Sequence, residues 1–128
     1  MVGIVIVSHS QKLADGVVDL TKIMADGCPI AAAGGMDDGG FGTSYEKIMM
    51  AIEEVHGTDG AIILMDMGSA VMTAEMVIEA MDDKKIIMLD GPVVEGTIVA
   101  SLEAMMGTPL EELQSKVEES RYTKKLEG

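Results

Sequence analysis

Basic and aromatic side chains are scarce in this chain. Nine Lys and Arg stand against 22 Asp and Glu, a formal net charge of −13. No basic patch is available to neutralise phosphates, so nucleic acid is not expected as a partner. The same acidity repels a free nucleotide that arrives without a metal, and it favours partners with basic or apolar docking faces. Tryptophan is absent, and the aromatic side chains are Phe41, Tyr45 and Tyr122. One cysteine, Cys28, excludes an internal disulfide and agrees with a reducing cytoplasm, the expected location. No apolar run approaches the roughly 18 residues of a membrane span, and no basic segment precedes the apolar amino terminus. A soluble, unexported protein with no membrane partner is therefore expected. Two histidines, His9 and His56, are too few for the three or four ligands of a metal site, so no metal is expected either.

What the chain does contain is a core. Hydrophobic residues make up 48% of 128, enough for one globular domain over 1–128. Thirteen methionines fill irregular interiors and also suit surfaces that meet more than one partner.

Val2 to Val7 is an unbroken apolar run rich in β-branched residues, which reads as a strand buried on both faces. It stops at Ser8-His9-Ser10, with Ser10 placed to cap a helix whose inward stripe reads Leu13, Val17, Leu20 and Met24. Gly27 then closes the helix as its C′ residue. Pro29 to Ala33 reads as a short strand at a sheet edge, because Pro29 cannot donate to a ladder. A loop with five glycines, Gly34 to Gly42, leads to Thr43-Ser44-Tyr45-Glu46, which has the form of a capping box. The following helix turns Tyr45, Ile48, Met49, Ile52 and Val55 inward and stops at His56-Gly57.

A third strand, Ala61 to Met65, ends in Asp66-Met67-Gly68-Ser69, where a third helix begins. That helix, about Ala70 to Met81, is apolar around most of its girth and needs covering on more than one side. Either neighbours in the same chain or a second copy in a symmetric dimer would supply the cover. A fourth strand, Lys85 to Leu89, precedes a helix from about Val93 to Met106. Thr108-Pro109-Leu110-Glu111 then caps a last helix, with Leu110, Leu113 and Val117 inward, that dissolves into a charged tail from Arg121 to Gly128.

Four βα units and a terminal helix define an α/β fold: a doubly wound, flavodoxin-like, four-stranded and mainly parallel sheet of order 2-1-3-4. The order reverses between the first and third strands, where such sheets bind ligands at their carboxyl ends. The two strand ends there carry His9 and Asp66. A carboxylate can hold one imidazole N–H, fix the tautomer and leave the other nitrogen free as nucleophile or acceptor. A lone strand-end histidine is also often structural, and the residue types leave both readings open.

Ser8, Ser10, Gly68 and Ser69 stand at two helix starts, where free N–H groups and the dipole favour phosphate. Thr43 and the glycine loop offer another such terminus. His56, at a helix end, is a dipole partner. Neither G-x-x-x-x-G-K-[ST] nor G-x-G-x-x-G opens the first helix, and no G-x-S-x-G elbow exists, so direct nucleotide binding and serine hydrolysis are unsupported. A phosphoryl group carried on His9 fits what is left, because such a carrier needs neither metal nor nucleotide of its own. It does need a docking face, which Met36, Phe41, Met67 and the glycine loop could form.

Val5-Ile6-Val7-Ser8-His9-Ser10, Ala33-Gly34-Gly35 with Gly42-Thr43-Ser44, Met65-Asp66-Met67-Gly68-Ser69-Ala70 and Pro92-Val93-Val94-Glu95-Gly96 together carry a resemblance. From Val2 to about Gly107 the chain resembles the mannose-type EIIA domains of the bacterial phosphotransferase system. Within them it is most similar to the phosphotransferase subunits of phosphoenolpyruvate-dependent dihydroxyacetone kinase. The resemblance implies that His9 accepts phosphate from phospho-HPr on Nε2, that Asp66 holds Nδ1, and that Gly68 and Ser69 contact the phosphoryl oxygens. It implies a phosphotransferase without its own cofactor, passing the group to ADP bound in the nucleotide-binding kinase subunit. The resulting ATP phosphorylates dihydroxyacetone held by a third subunit. It further implies a homodimer, and a chain that ends after the EIIA domain without HPr-like or enzyme-I-like extensions. Two rivals stand beside this: a mannose-type EIIA feeding a IIB protein of a sugar permease, and a non-catalytic flavodoxin-like interaction module.

Overall fold

A computed structural model describes residues 1–126; Glu127 and Gly128, the end of the expected tail, lie outside the described residues. Its frame is four strands, β1 (Gly3–Ser8), β2 (Ile30–Gly34), β3 (Ala61–Met65) and β4 (Ile86–Met88). They pair in the order β2-β1-β3-β4, and every pairing is parallel. β1 is central and buried along its whole length, as its apolar run demands. Ile4 and Ile6 meet helices α1 (Gln11–Met24), α4 (Val93–Met105) and α5 (Leu110–Glu119) on one face. Val5 and Val7 meet α2 (Tyr45–Val55) and α3 (Val71–Met81) on the other. Each fully buried Ile or Val stabilises the fold by about 1.5–3 kcal/mol relative to exposure.

Several local expectations change. In α1 the buried stripe is Ala14, Val17, Val18 and Thr21, while Leu13 (40% exposed), Leu20 (41%) and Met24 (53%) face outward. The cause is close approach of helix to sheet. A Cβ on Gly34 would stand 2.7 Å from both Gln11 Cα and Ser10 O, so only small side chains fit that contact. The helix is turned by about one residue to present them. It also ends at Met24, so Gly27 (φ +94°) serves the turn beyond the cap rather than the C′ position.

Ser44, not Thr43, caps α2, accepting from the Lys47 amide at 3.2 Å. Thr43 Oγ1 instead sits 2.9 Å from Thr73 Oγ1 on α3. Thr108 gives its hydroxyl to Glu103 at 2.8 Å, and Pro109 holds the cap position of α5 with no side-chain bond. The start of the tail is fastened rather than dissolved. Residues Ser120–Tyr122 form a 3₁₀ turn, and the Arg121 guanidinium donates to the carbonyls of Glu118 and Asp90. Helix α3 is an outer helix that buries Ala74 and Val77 and leaves Met72 and Met76 exposed. Neighbours in the same chain therefore cover one side of it, not its girth.

Candidate active site

The register of β1 on β3 places the site. Val7 lies opposite Met65, and the Asp66 amide extends the ladder to Val7 O at 3.1 Å. The next residues of the two strands, Ser8-His9 and Asp66, are thereby set side by side at the carboxyl edge. Asp66 is gripped from three directions. Its Oδ2 accepts from the Ser8 hydroxyl at 2.9 Å and from the His9 backbone N–H at 3.1 Å. Its Oδ1 lies 3.1 Å from His9 Nδ1.

Burial works to raise the Asp66 pKa, but the hydrogen bonds from His9 N–H, the Ser8 hydroxyl and the imidazole outweigh it and hold the carboxyl below its ordinary range. An ionised carboxylate accepts and never donates, so it selects the imidazole tautomer with the proton on Nδ1. Nε2 is then left with its lone pair. It faces the surface, 3.0 Å from the Ser69 hydroxyl. The side chains of His9 and Asp66 are 22% and 11% exposed, enough for a partner to reach the ring but not the carboxylate.

The loops around the pair are themselves tied down. The Gly42 amide donates to His9 O at 2.9 Å, fixing the glycine loop against the histidine. Met67 leads into a 3₁₀ turn, Gly68–Ala70, that runs into α3. The amides of Gly68 and Ser69, at the start of this turn, donate to no group among the described residues. A cleft of about 510 Å³, lined by Asp66, Met67, Val71, Met88, Leu89 and Asp90, opens beside Asp66.

Of the residues singled out from sequence, the structure brings His9, Asp66, Gly68 and Ser69 together at one surface. Ser8 is different. It is wholly buried, its hydroxyl donates to Asp66 and accepts from the Ser10 amide at 3.0 Å, and it turns away from any phosphoryl group on Nε2. Strand parity carried that signal, since Ser8 shares a face with Ile4 and Ile6. The Ser10 hydroxyl accepts from the Leu13 amide at 3.2 Å as the cap of α1. Thr43, bonded to Thr73, belongs to the loop's anchorage rather than to the space above the ring. His56 stands at the C-cap of α2, at the opposite edge of the sheet. Among the described residues, no three His, Cys, Asp or Glu side chains gather as a metal site. No described helix is long and apolar enough to cross a membrane.

A strand-end histidine clamped by a neighbouring carboxylate, with its far ring nitrogen outward, is chemically able to hold a transferable group on that nitrogen. The family model described as PTS system fructose IIA component, of the mannose-type EIIA group, matches residues 3–114, and the chain belongs to this family.

Among its relatives, the chain is 40% identical over 120 residues to the PEP-dependent dihydroxyacetone kinase, phosphoryl donor subunit DhaM, of Escherichia coli K12. That match covers 88% of this chain and 25% of the relative, so the chain spans about a quarter of that protein's length. It is 37% identical over 116 residues to the PTS-dependent dihydroxyacetone kinase, phosphotransferase subunit DhaM, of Lactococcus lactis, covering 91% of this chain and 93% of the relative. A solved structure of a protein of unknown function superposes with a TM-score of 0.80 at 27% identity, over 91% of this chain and 92% of the other. A sigma-54 interaction domain protein from Enterococcus faecalis shares the fold, with a TM-score of 0.70 at 20% identity over 93% and 89% of the two chains.

Proposed function

We propose that the chain is the phosphohistidine carrier of a phosphoenolpyruvate-dependent dihydroxyacetone kinase, taking a phosphoryl group from phospho-HPr onto His9 Nε2. It passes the group to ADP held by the nucleotide-binding kinase subunit, and thus serves as the phosphotransferase component of a phosphoenolpyruvate–glycerone phosphotransferase. The observation that carries the reading is the division of labour on one ring: Nδ1 held by Asp66, Nε2 outward beside Ser69.

In the first half-reaction the Nε2 lone pair forms a bond to phosphorus as the N–P bond of the donor phosphohistidine breaks, and the electron pair returns to the donor ring. The proton on Nδ1 stays where it is. The ring becomes cationic as Nε2 takes the group, and the Asp66 carboxylate stabilises that charge. The Ser69 hydroxyl gives up Nε2 and, with the Gly68 and Ser69 amides, meets the phosphoryl oxygens. The second half-reaction is the same in reverse, with an ADP oxygen as nucleophile. The chain needs no cofactor in this scheme, and ADP and ATP belong to the partner.

The exposed Met72 and Met76 of α3 support a homodimer in which a second copy covers that face. A chain that sediments as a monomer at micromolar concentration contradicts it. Cytoplasmic placement follows from the phosphoryl donor. The test of the carrier is label transfer from phosphoenolpyruvate through enzyme I and HPr. Acid-labile, base-stable label on the wild type and none on His9→Ala is the expected result, and persistent label on the variant overturns the reading. Adding the kinase subunit with ADP, or a IIB protein, then shows which of them drains the label. Drainage by IIB alone moves the chain to a sugar permease.

A further inference from the structure

We propose that Phe41 is the docking anchor for the phosphoryl-accepting protein, seated in an apolar pocket rimmed by basic side chains where that protein encloses its nucleotide. This inference rests on the carrier reading above. Phe41 is the one phenylalanine in the chain and is 86% exposed, so it does nothing for this chain's core.

It does not hang on a loose loop. The Met36 amide bonds Gly40 O at 2.9 Å, the Gly39 amide bonds Met36 O at 3.0 Å, and the Gly40 amide bonds Asp38 Oδ1 at 2.8 Å. One residue past Phe41, the Gly42 amide is fixed to His9 O, and next to it Thr43 is fixed to α3. The backbone on either side of Phe41 is thus fixed one residue from the reactive histidine's own backbone contact, and only the two torsions of the ring are left for a partner to order. Binding energy in protein interfaces concentrates on such anchors.

Charge defines the partner's rim. The loops that follow the strands, residues 9–10, 35–44, 66–70 and 89–92, contain no Lys or Arg, yet they hold Asp37, Asp38, Asp66 and Asp90. Of the cations near this edge, Lys47 Nζ donates to Gly34 O at 3.0 Å, Arg121 is bonded to Glu118 and Asp90, and Lys125 is paired with Glu95, while the exposed Lys12 stands on the first turn of α1. The loops that carry His9, Phe41 and Asp66 thus offer carboxylates and no cation of their own, and a basic rim on the partner is the complement to Asp37 and Asp38.

Shape separates the two partners. A donor that is itself a carrier must present its phosphohistidine outward, whereas a protein that keeps a nucleotide bound encloses it in a concave site. A projecting side chain beside the histidine fits the concave one.

The experiment uses the full chain and measures the half-reactions apart, with phospho-HPr as donor and the ADP-loaded nucleotide-binding subunit of dihydroxyacetone kinase as acceptor. Phe41→Ala is expected to raise KM for the acceptor about 10–100-fold, the loss of one buried phenylalanine, with kcat within about threefold. Charging by phospho-HPr is expected to slow by less than about threefold, and Phe41→Trp to restore most of the acceptor KM. For the basic rim, acceptor KM should rise with salt in the wild type, and less so in Asp37→Asn/Asp38→Asn. Equal slowing of both half-reactions, an unchanged acceptor KM in Phe41→Ala, or no salt dependence overturns the proposal while leaving the carrier intact. A wild type that takes no label from phospho-HPr overturns both.

Discussion

His9 and His56 each lie beside an aspartate, at opposite edges of the same sheet. His9 Nδ1 is 3.1 Å from Asp66 Oδ1, and His56 Nε2 is 2.9 Å from Asp83 Oδ2. The shorter contact is the less organised one. Despite the short distance, His56 Nε2 makes no hydrogen bond. Asp83 Oδ1 takes the Lys85 amide at 2.9 Å to shape the turn into β4, and among the described residues no hydroxyl bonds the pair. Asp66, by contrast, is held by a buried serine, by the backbone of the histidine it serves, and by the ring itself. What makes a site here is not a histidine near a carboxylate. It is a carboxylate that cannot turn, with the far nitrogen of the ring left outward.

The comparison is broken or sharpened by matched substitutions. His9→Ala should remove phosphoryl labelling completely, while His56→Ala leaves it within about twofold, the scatter expected of a site remote from the chemistry. Labelling lost in both, with folding retained, would show that the two pairs are not distinct. Asp66→Ala should slow charging by about 10²–10⁴-fold, the range for a group that orients and stabilises a catalytic imidazole. Stopped-flow charging reads this, and a change under fivefold would reduce Asp66 to a strand end.

Ser8→Ala comes next. It strips Asp66 of one donor and leaves the Ser10 amide without its acceptor, so unfolding in urea should come about 1–3 kcal/mol earlier. An unchanged midpoint would mean that the buried hydroxyl matters little.

The pH dependence is a subtler test. The folded Asp66 carboxyl sits below its unfolded value, so its contribution to stability is complete above about pH 3.9 and is lost as pH falls through the lower folded value. The gap in urea midpoint between wild type and Asp66→Asn should accordingly close on acidification, and a widening gap contradicts the assignment. Smallest of all, Ser44→Ala should cost about 1 kcal/mol through the lost cap of α2, with labelling unaffected.

Much of the site was legible from residue order. A strand apolar on both faces had to be central, right-handed crossovers restricted the sheet to few orders, and the reversal then brought His9 to Asp66. Finer features depended on distances that no periodicity contains. In α1 the large residues Leu13, Leu20 and Met24 marked a stripe, but the close contact at Gly34 selects the small ones beside it. Thr43 and Thr108 each stood in a sequence suited to capping, and each found a better partner in space, on α3 and on Glu103. Ser8 stands before a helix start suited to phosphate, but its parity with Ile4 and Ile6 turns its side chain inward.

The double hold on His9, by Asp66 Oδ2 on its amide and Oδ1 near its ring, has a mechanical consequence. Carriers that ferry a group on a long, freely jointed side chain let the cargo sweep between stations while the protein stays put. Here the cargo post is bolted to two central strands, and the ring has no room to sweep. As the carrier proposed above, the whole molecule would have to travel, dock, release and dock again for each phosphoryl group delivered. Throughput is set by protein encounter and departure, and solution viscosity should slow it more than any loosening of the loops could speed it.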